Sequence, residues 1–202
     1  MIAIVDYGMG NIHSVRKAIE SMGARTLVAF GPSDIEACDK VVLPGVGAFD
    51  DAMEELEKKG LAAALAGHIK ARKIFLGICL GMQLLFEGSQ EAKIKKGLSF
   101  LKGSVKKFET AGRLKVPHMG WNQLKIDTKE CPLLKGIAED SYVYFCHSYY
   151  AEPADKSITA AATDYGIDFT SVLWKDNIYG VQFHPEKSQE AGLKILKNFV
   201  NL

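Results

Sequence analysis

A cysteine set between two glycines, Gly77-Ile78-Cys79-Leu80-Gly81, falls where an apolar strand-like run at residues 73–78 gives way to a helical pattern at 80–86. A strand-to-helix turn this sharp lifts its central side chain above the sheet, and small flanking residues keep neighbours from covering it. The positive end of the following helix favours a thiolate there. A buried structural cysteine is the competing reading, and the motif alone does not choose between them. Far downstream, Gly180-Val181-Gln182-Phe183-His184-Pro185-Glu186 supplies partners. Residues i and i+2 of a strand share a face, so His184 and Glu186 point the same way. A carboxylate beside an imidazole fixes its tautomer and stabilises the imidazolium. Acyl transfer then has a nucleophile in Cys79, an acid and base in His184, and an orienting group in Glu186.

Attack by sulfur on a carbonyl also needs donors for the oxyanion that forms. The Leu80 amide, at the helix start, is one. Pro44-Gly45-Val46-Gly47 is the best source of a second, because it follows a strand whose end lies on the same sheet edge. Its two glycines permit a peptide flip that switches a donor on, although an ordinary glycine turn explains these four residues equally well.

The elements that must position these groups alternate in the first half of the chain. Residues 2–6, 25–30, 40–43 and 74–78 read as strands, the third stopped by Pro44, and residues 12–22, 48–58 and 61–71 read as helices. Such alternation predicts an α/β fold with an open, mainly parallel sheet flanked by helices. Short strands at 104–108, 123–126, 142–146, 157–163, 169–175 and 178–183 predict an antiparallel extension, and an amphipathic helix at 191–202 closes the chain. No linker or repeat divides residues 1–202, which reads as one domain.

Composition narrows the classes further. The 48% hydrophobic and 24% charged fractions belong to an ordinary folded chain rather than a disordered one. A net charge of +1 makes no case for nucleic acid. No run approaches a membrane span, and Met1 leads straight into a strand without a basic leader, which predicts a cytoplasmic protein. The four cysteines show neither CxxC nor zinc spacing with histidine, so the sequence asks for no metal or cofactor. Cys38, Cys131 and Cys146 read as reduced packing or surface residues. Residues 93–115 carry eight basic residues against the single acid Glu109, a pattern read as a solvated face in preference to a docking surface.

Gly-Ile-Cys-Leu-Gly-Met-Gln at 77–83 with His-Pro-Glu at 184–186 resembles the class I, triad-type glutamine amidotransferases. Asp6-Tyr7-Gly8-Met9-Gly10-Asn11, Pro44-Gly45-Val46-Gly47-Ala48-Phe49, Pro117-His118-Met119-Gly120-Trp121-Asn122 and Tyr144-Phe145-Cys146-His147-Ser148-Tyr149 narrow the likeness to the glutaminase-subunit family of imidazole glycerol phosphate synthases, of histidine biosynthesis. The resemblance implies a flavodoxin-like fold and hydrolysis of glutamine to glutamate and ammonia through a Cys79 thioester. It implies an oxyanion hole from Val46 and Leu80, and substrate contacts from Gly45, Gly47, Gln83, His147, Ser148 and Tyr149. It further implies a heterodimer with a separate (β/α)8-barrel cyclase subunit, faced by Asn11, Trp121 and Tyr144. Free ammonia in water protonates and loses its nucleophilicity, so the resemblance also implies direct transfer to that partner and idling until the partner holds its nucleotide. Another synthase partner, a γ-glutamyl peptide hydrolase acting alone, and an inactive scaffold are the rival readings.

Overall fold

The computed structural model describes residues 1–109 and 114–202. In chain order the elements are β1 Ile2–Val5, α1 Ile12–Glu20, β2 Thr26–Ala29, α2 Pro32–Glu36, β3 Lys40–Gly45, α3 Phe49–Lys58, α4 Leu61–Lys70, β4 Ile74–Cys79 and α5 Leu80–Gln83. There follow β5 Gly88–Ser89, β6 Gly103–Lys107, β7 His118–Gln123, β8 Lys125–Ile126, β9 Tyr142–His147, β10 Tyr149–Pro153, β11 Thr159–Asp164, β12 Asp168–Lys175, β13 Ile178–Val181 and α6 Gln189–Asn201.

An eight-stranded sheet in the order β2-β1-β3-β4-β13-β12-β11-β8 forms the frame. Pairing is parallel from β2 across to β13 and antiparallel from β13 to β8. The expected parallel sheet with an antiparallel extension is therefore present. Alternation along the strands feeds two apolar layers. Ala3, Val5, Val41, Leu43 and Phe75 pack with Phe49, Leu56, Leu61 and Leu65 of α3 and α4. Ile2, Ile4, Val42 and Leu76 pack with Val15 and Ile19 of α1 and Ile195, Leu196 and Phe199 of α6. Each such side chain, taken out of water, contributes about 1.5–3 kcal/mol before conformational entropy is counted.

Several expectations need correction. β3 does not stop at Pro44 but runs on to Gly45, pairing Pro44 with Ile78 and Gly45 with Cys79. The ladder with β1 ends at Val42, so no sheet hydrogen bond to β1 is asked of the proline nitrogen. The helix expected over 80–86 is a single turn. Leu84, Leu85 and Phe86 are fully buried, and their carbonyls accept from the amides of Leu98, Phe100, Leu101 and Ser99 instead of continuing a helix. Two small sheets, β10-β6-β5 and β7-β9, were not anticipated as such, and the strand expected at 123–126 is split between β7 and β8.

Cys38, Cys131 and Cys146 are free thiols, as expected. In the basic stretch, Lys95 pairs with Glu57 at 2.6 Å and the amides of Lys93 and Lys95 bind the Asp50 carboxylate, while Arg113 lies outside the described residues. Among the described residues no helix is long and apolar enough to cross a membrane.

Candidate active site

Cys79 ends β4 with φ 54° and ψ −112°, a conformation that non-glycine residues avoid and that is held only where the surroundings enforce it. The flanking glycines provide that enforcement. A Cβ on Gly77 would stand 2.6 Å from the Gly81 carbonyl oxygen, and one on Gly81 would collide with the Leu43 carbonyl. Their main task is thus to let the α5 turn press backbone to backbone against the ends of β3 and β4. Clearing space around the sulfur is secondary. Cys79 itself is only 5% exposed, at the floor of a pocket of about 320 Å³.

His184 and Glu186 meet as expected, though by another route. β13 ends at Val181, and residues Pro185–Lys187 form a 3-10 turn that brings the carboxylate back onto the ring. The His184 Nδ1 to Glu186 Oε1 distance is 3.0 Å, with both side chains buried. Burial disfavours a charged ring, but hydrogen bonds to Cys79 and Glu186 and their negative charges outweigh it, raising the His184 pKa to about 10. Ser188, missed in the sequence, anchors this turn. Its hydroxyl donates to the His184 carbonyl at 2.7 Å and accepts from the Tyr144 amide at 2.9 Å.

Val46, Gly47, Leu80, Gln83, His147, Ser148 and Tyr149 all line the pocket with Cys79 and His184. Gly45 does not. It ends β3 against the Tyr7 hydroxyl and Leu80, where an added Cβ would stand 2.5 and 2.9 Å from them. Val46 is 44% exposed, and its amide donates to the Met9 carbonyl over a long 3.4 Å. Gly47 has φ +95°, open to glycine. Trp121 and Tyr144 face one another across β7 and β9, rings 6.0 Å apart, with Trp121 45% exposed. Asn11 caps α1, accepting from the Ser14 amide.

Sequence reasoning passed over Gln182, Lys187, Glu91 and Tyr7. Lys187 and Glu91 line the pocket, and the Lys187 ammonium lies 6.0 Å from the Tyr144 ring centroid. Burial, with the negative charge of Cys79 beside it, raises the pKa of the Tyr7 phenol, whose oxygen has no hydrogen-bond partner among the described residues. Gln182 was within reach of the period-two argument applied to His184, since residues 182 and 184 alternate on one face of an extended run.

The class-I glutamine amidotransferase family model matches residues 3–202. This chain belongs to that family. Within it, the chain is 52% identical over 202 residues to the imidazole glycerol phosphate synthase subunit HisH of Methanothermobacter thermautotrophicus, covering 100% of this chain and 98% of the relative. It is 48% identical to the HisH subunit of Gloeobacter violaceus over 200 residues, 98% of this chain and 88% of the relative. HisH is therefore the branch of the amidotransferase family to which it belongs. The fold recurs in PurLQS from Thermotoga maritima, with a TM-score of 0.79, 17% identity and coverage of 99% of this chain and 97% of that one.

Proposed function

We propose that this amidotransferase is the glutaminase subunit of an imidazole glycerol phosphate synthase, with Cys79, His184 and Glu186 as its catalytic groups. The observation that carries the reading is the Cys79 elbow sharing one pocket with a His184 ring that Glu186 holds from behind at 3.0 Å. The Cys79 sulfur attacks the side-chain amide carbon of glutamine. Backbone amides of Leu80 and Val46 hold the oxyanion. His184 passes its proton to the departing nitrogen as the C–N bond breaks, leaving ammonia and a γ-glutamyl thioester. Water then attacks the thioester, its proton goes to His184, and glutamate leaves as sulfur is expelled.

Gly47, Gln83, His147, Ser148 and Tyr149 hold glutamine, and Gly45 acts on it through the backbone it allows. Residues 1–202 work as one cytoplasmic domain. Ammonia passes to a separate (β/α)8-barrel cyclase docked on the face carrying Asn11, Trp121 and Tyr144. With its amide on the Met9 carbonyl, Val46 is turned away from the oxyanion, so turnover idles until the partner holds its nucleotide and the peptide rotates.

Mixed with the cyclase subunit and its nucleotide substrate, the chain should hydrolyse glutamine much faster than alone. Cys79→Ala should abolish that hydrolysis and still form the complex. Hydrolysis persisting in a clean Cys79→Ala preparation would defeat the reading.

A further inference from the structure

We propose that Gln182 is a catalytic residue whose amide N–H holds the Cys79 sulfur, and that a one-way run of hydrogen bonds from Asn122 through His118 and His147 holds in place the Tyr149 carbonyl from which, through Gln83, that amide takes its orientation. The inference rests on Cys79 being the nucleophile.

Gln182 is fully buried, where an unpartnered amide is unfavourable, and each end of it has a partner. Its Nε2 lies 3.7 Å from the Cys79 sulfur, and its Oε1 accepts from Gln83 Nε2 at 3.1 Å. The same Gln83 nitrogen donates to the Tyr149 carbonyl at 2.9 Å. A carbonyl only accepts, so nitrogen must occupy that end of Gln83. The Gln182 oxygen must then face Gln83, which leaves nitrogen for the sulfur. Reversing the Gln182 amide would set N–H against N–H at one end and a lone pair against a thiolate at the other.

The Tyr149 carbonyl is fixed by a second donor, His147 Nδ1 at 2.8 Å. Its proton being on Nδ1, a neutral His147 must accept at Nε2. The atom facing it at 3.1 Å is His118 Nδ1, which therefore donates. His118 Nε2 in turn accepts from Asn122 Nδ2 at 3.3 Å, and that nitrogen also donates to the Asp164 carbonyl at 2.8 Å. Every direction in the run follows from a carbonyl at one of its ends. The run needs both rings neutral. Burial lowers the pKa of His118 to about 4, and burial together with the neighbouring His118 and His184 charges lowers that of His147 to about 3, against the Tyr149 hydrogen bond. Aromatic rings clamp the pair, with Tyr165 and Phe145 stacked on His118 at 3.9 and 4.7 Å between centroids.

Donation to sulfur stabilises the thiolate over the thiol, both at rest and as the leaving group when the thioester intermediate collapses. The other ionisable groups facing Cys79 are His184, backed by Glu186, and Tyr7, while Glu91, Tyr144, Cys146, His147, Tyr149 and Lys187 line the same pocket.

The test follows the rate of Cys79 alkylation by iodoacetamide against pH, on the full chain with its cyclase subunit. Gln182→Met keeps the length of the side chain without the donor, and should move the midpoint of that profile up by about one pH unit. His118→Phe should move it the same way. His118→Asn, whose amide nitrogen takes the place of Nδ1, should restore it. In the unaltered protein, nitrogen NMR should find both His118 and His147 neutral and protonated on Nδ1.

A Gln182→Met midpoint equal to that of the parent chain would overturn the assignment of Gln182. His118→Phe lowering the melting temperature without moving the midpoint, or an Nε2-protonated His147, would overturn the run that orients it. Alkylation reads the sulfur without glutamine, so these failures are distinct from hydrolysis surviving in Cys79→Ala.

Discussion

The two loops that meet over the pocket are built in opposite ways. Around Cys79, backbone is pressed on backbone: Gly77 against Gly81 and Met82, and Gly81 against the Leu43 carbonyl. Cys79, the proposed nucleophile, sits in an unfavourable conformation held by that packing. One strand away, Val46 is exposed and its amide rests on a 3.4 Å hydrogen bond to Met9. Its neighbour Gly47, at φ +95°, can adopt more than one backbone state. On the proposed mechanism the reactive pair is assembled in advance, and the donor that would make it fast is the adjustable part. Regulation placed on the oxyanion donor leaves the harder geometry, that of the sulfur and ring, untouched.

Substitutions on either side should fail differently. Gly81→Ala drives a methyl into the Leu43 carbonyl and should have the largest effect, lowering stability by about 3 kcal/mol or more together with loss of activity. Urea denaturation followed by fluorescence measures it, and a fully stable, active variant would show the elbow to be looser than described. Next in size, Glu186→Gln should reduce glutamine turnover in the complex roughly 10²- to 10⁴-fold. It should also shift the pH profile. Glu186 favours the charged ring, so removing its charge lowers the pKa of His184 from about 10, and the alkaline limb of kcat/KM moves to lower pH.

On the adjustable side, Val46→Pro deletes the amide N–H. Ligand-activated turnover should fall by about 10²- to 10³-fold, drawing the ratio of activated to basal rates towards one. An unchanged ratio would place the switch elsewhere. Smallest in effect, Trp121→Ala should weaken binding to the cyclase about tenfold or more by titration, with the Cys79 side of the pocket unaltered.

How much of this could be read from the chain differs residue by residue. The meeting of Cys79, His184 and Glu186 was legible because they stand in two short motifs, although the carboxylate reaches the ring through a 3-10 turn and not along a strand. The parallel half of the sheet was legible from alternating patterns. β7 was harder to see, because it mixes polar, aromatic and glycine residues and, among the described residues, pairs with β9 alone. The pairing of His118 with His147 depends on a register between strands far apart in the chain, which no local pattern encodes. Leu84, Leu85 and Phe86 misled for the converse reason. Residues buried on all sides look helical whatever their backbone does.

The register that pairs Gly45 with Cys79 sets the ends of β3 and β4 side by side, at a strand spacing of about 4.8 Å. If Val46 is the proposed oxyanion donor, rotation of one peptide plane there would span the difference between two oxyanion geometries. Such a change stores a single bit. It displaces no domain and alters no molecular envelope, so small-angle scattering would register nothing. The amide resonances of Val46 and Gly47 would carry the whole signal.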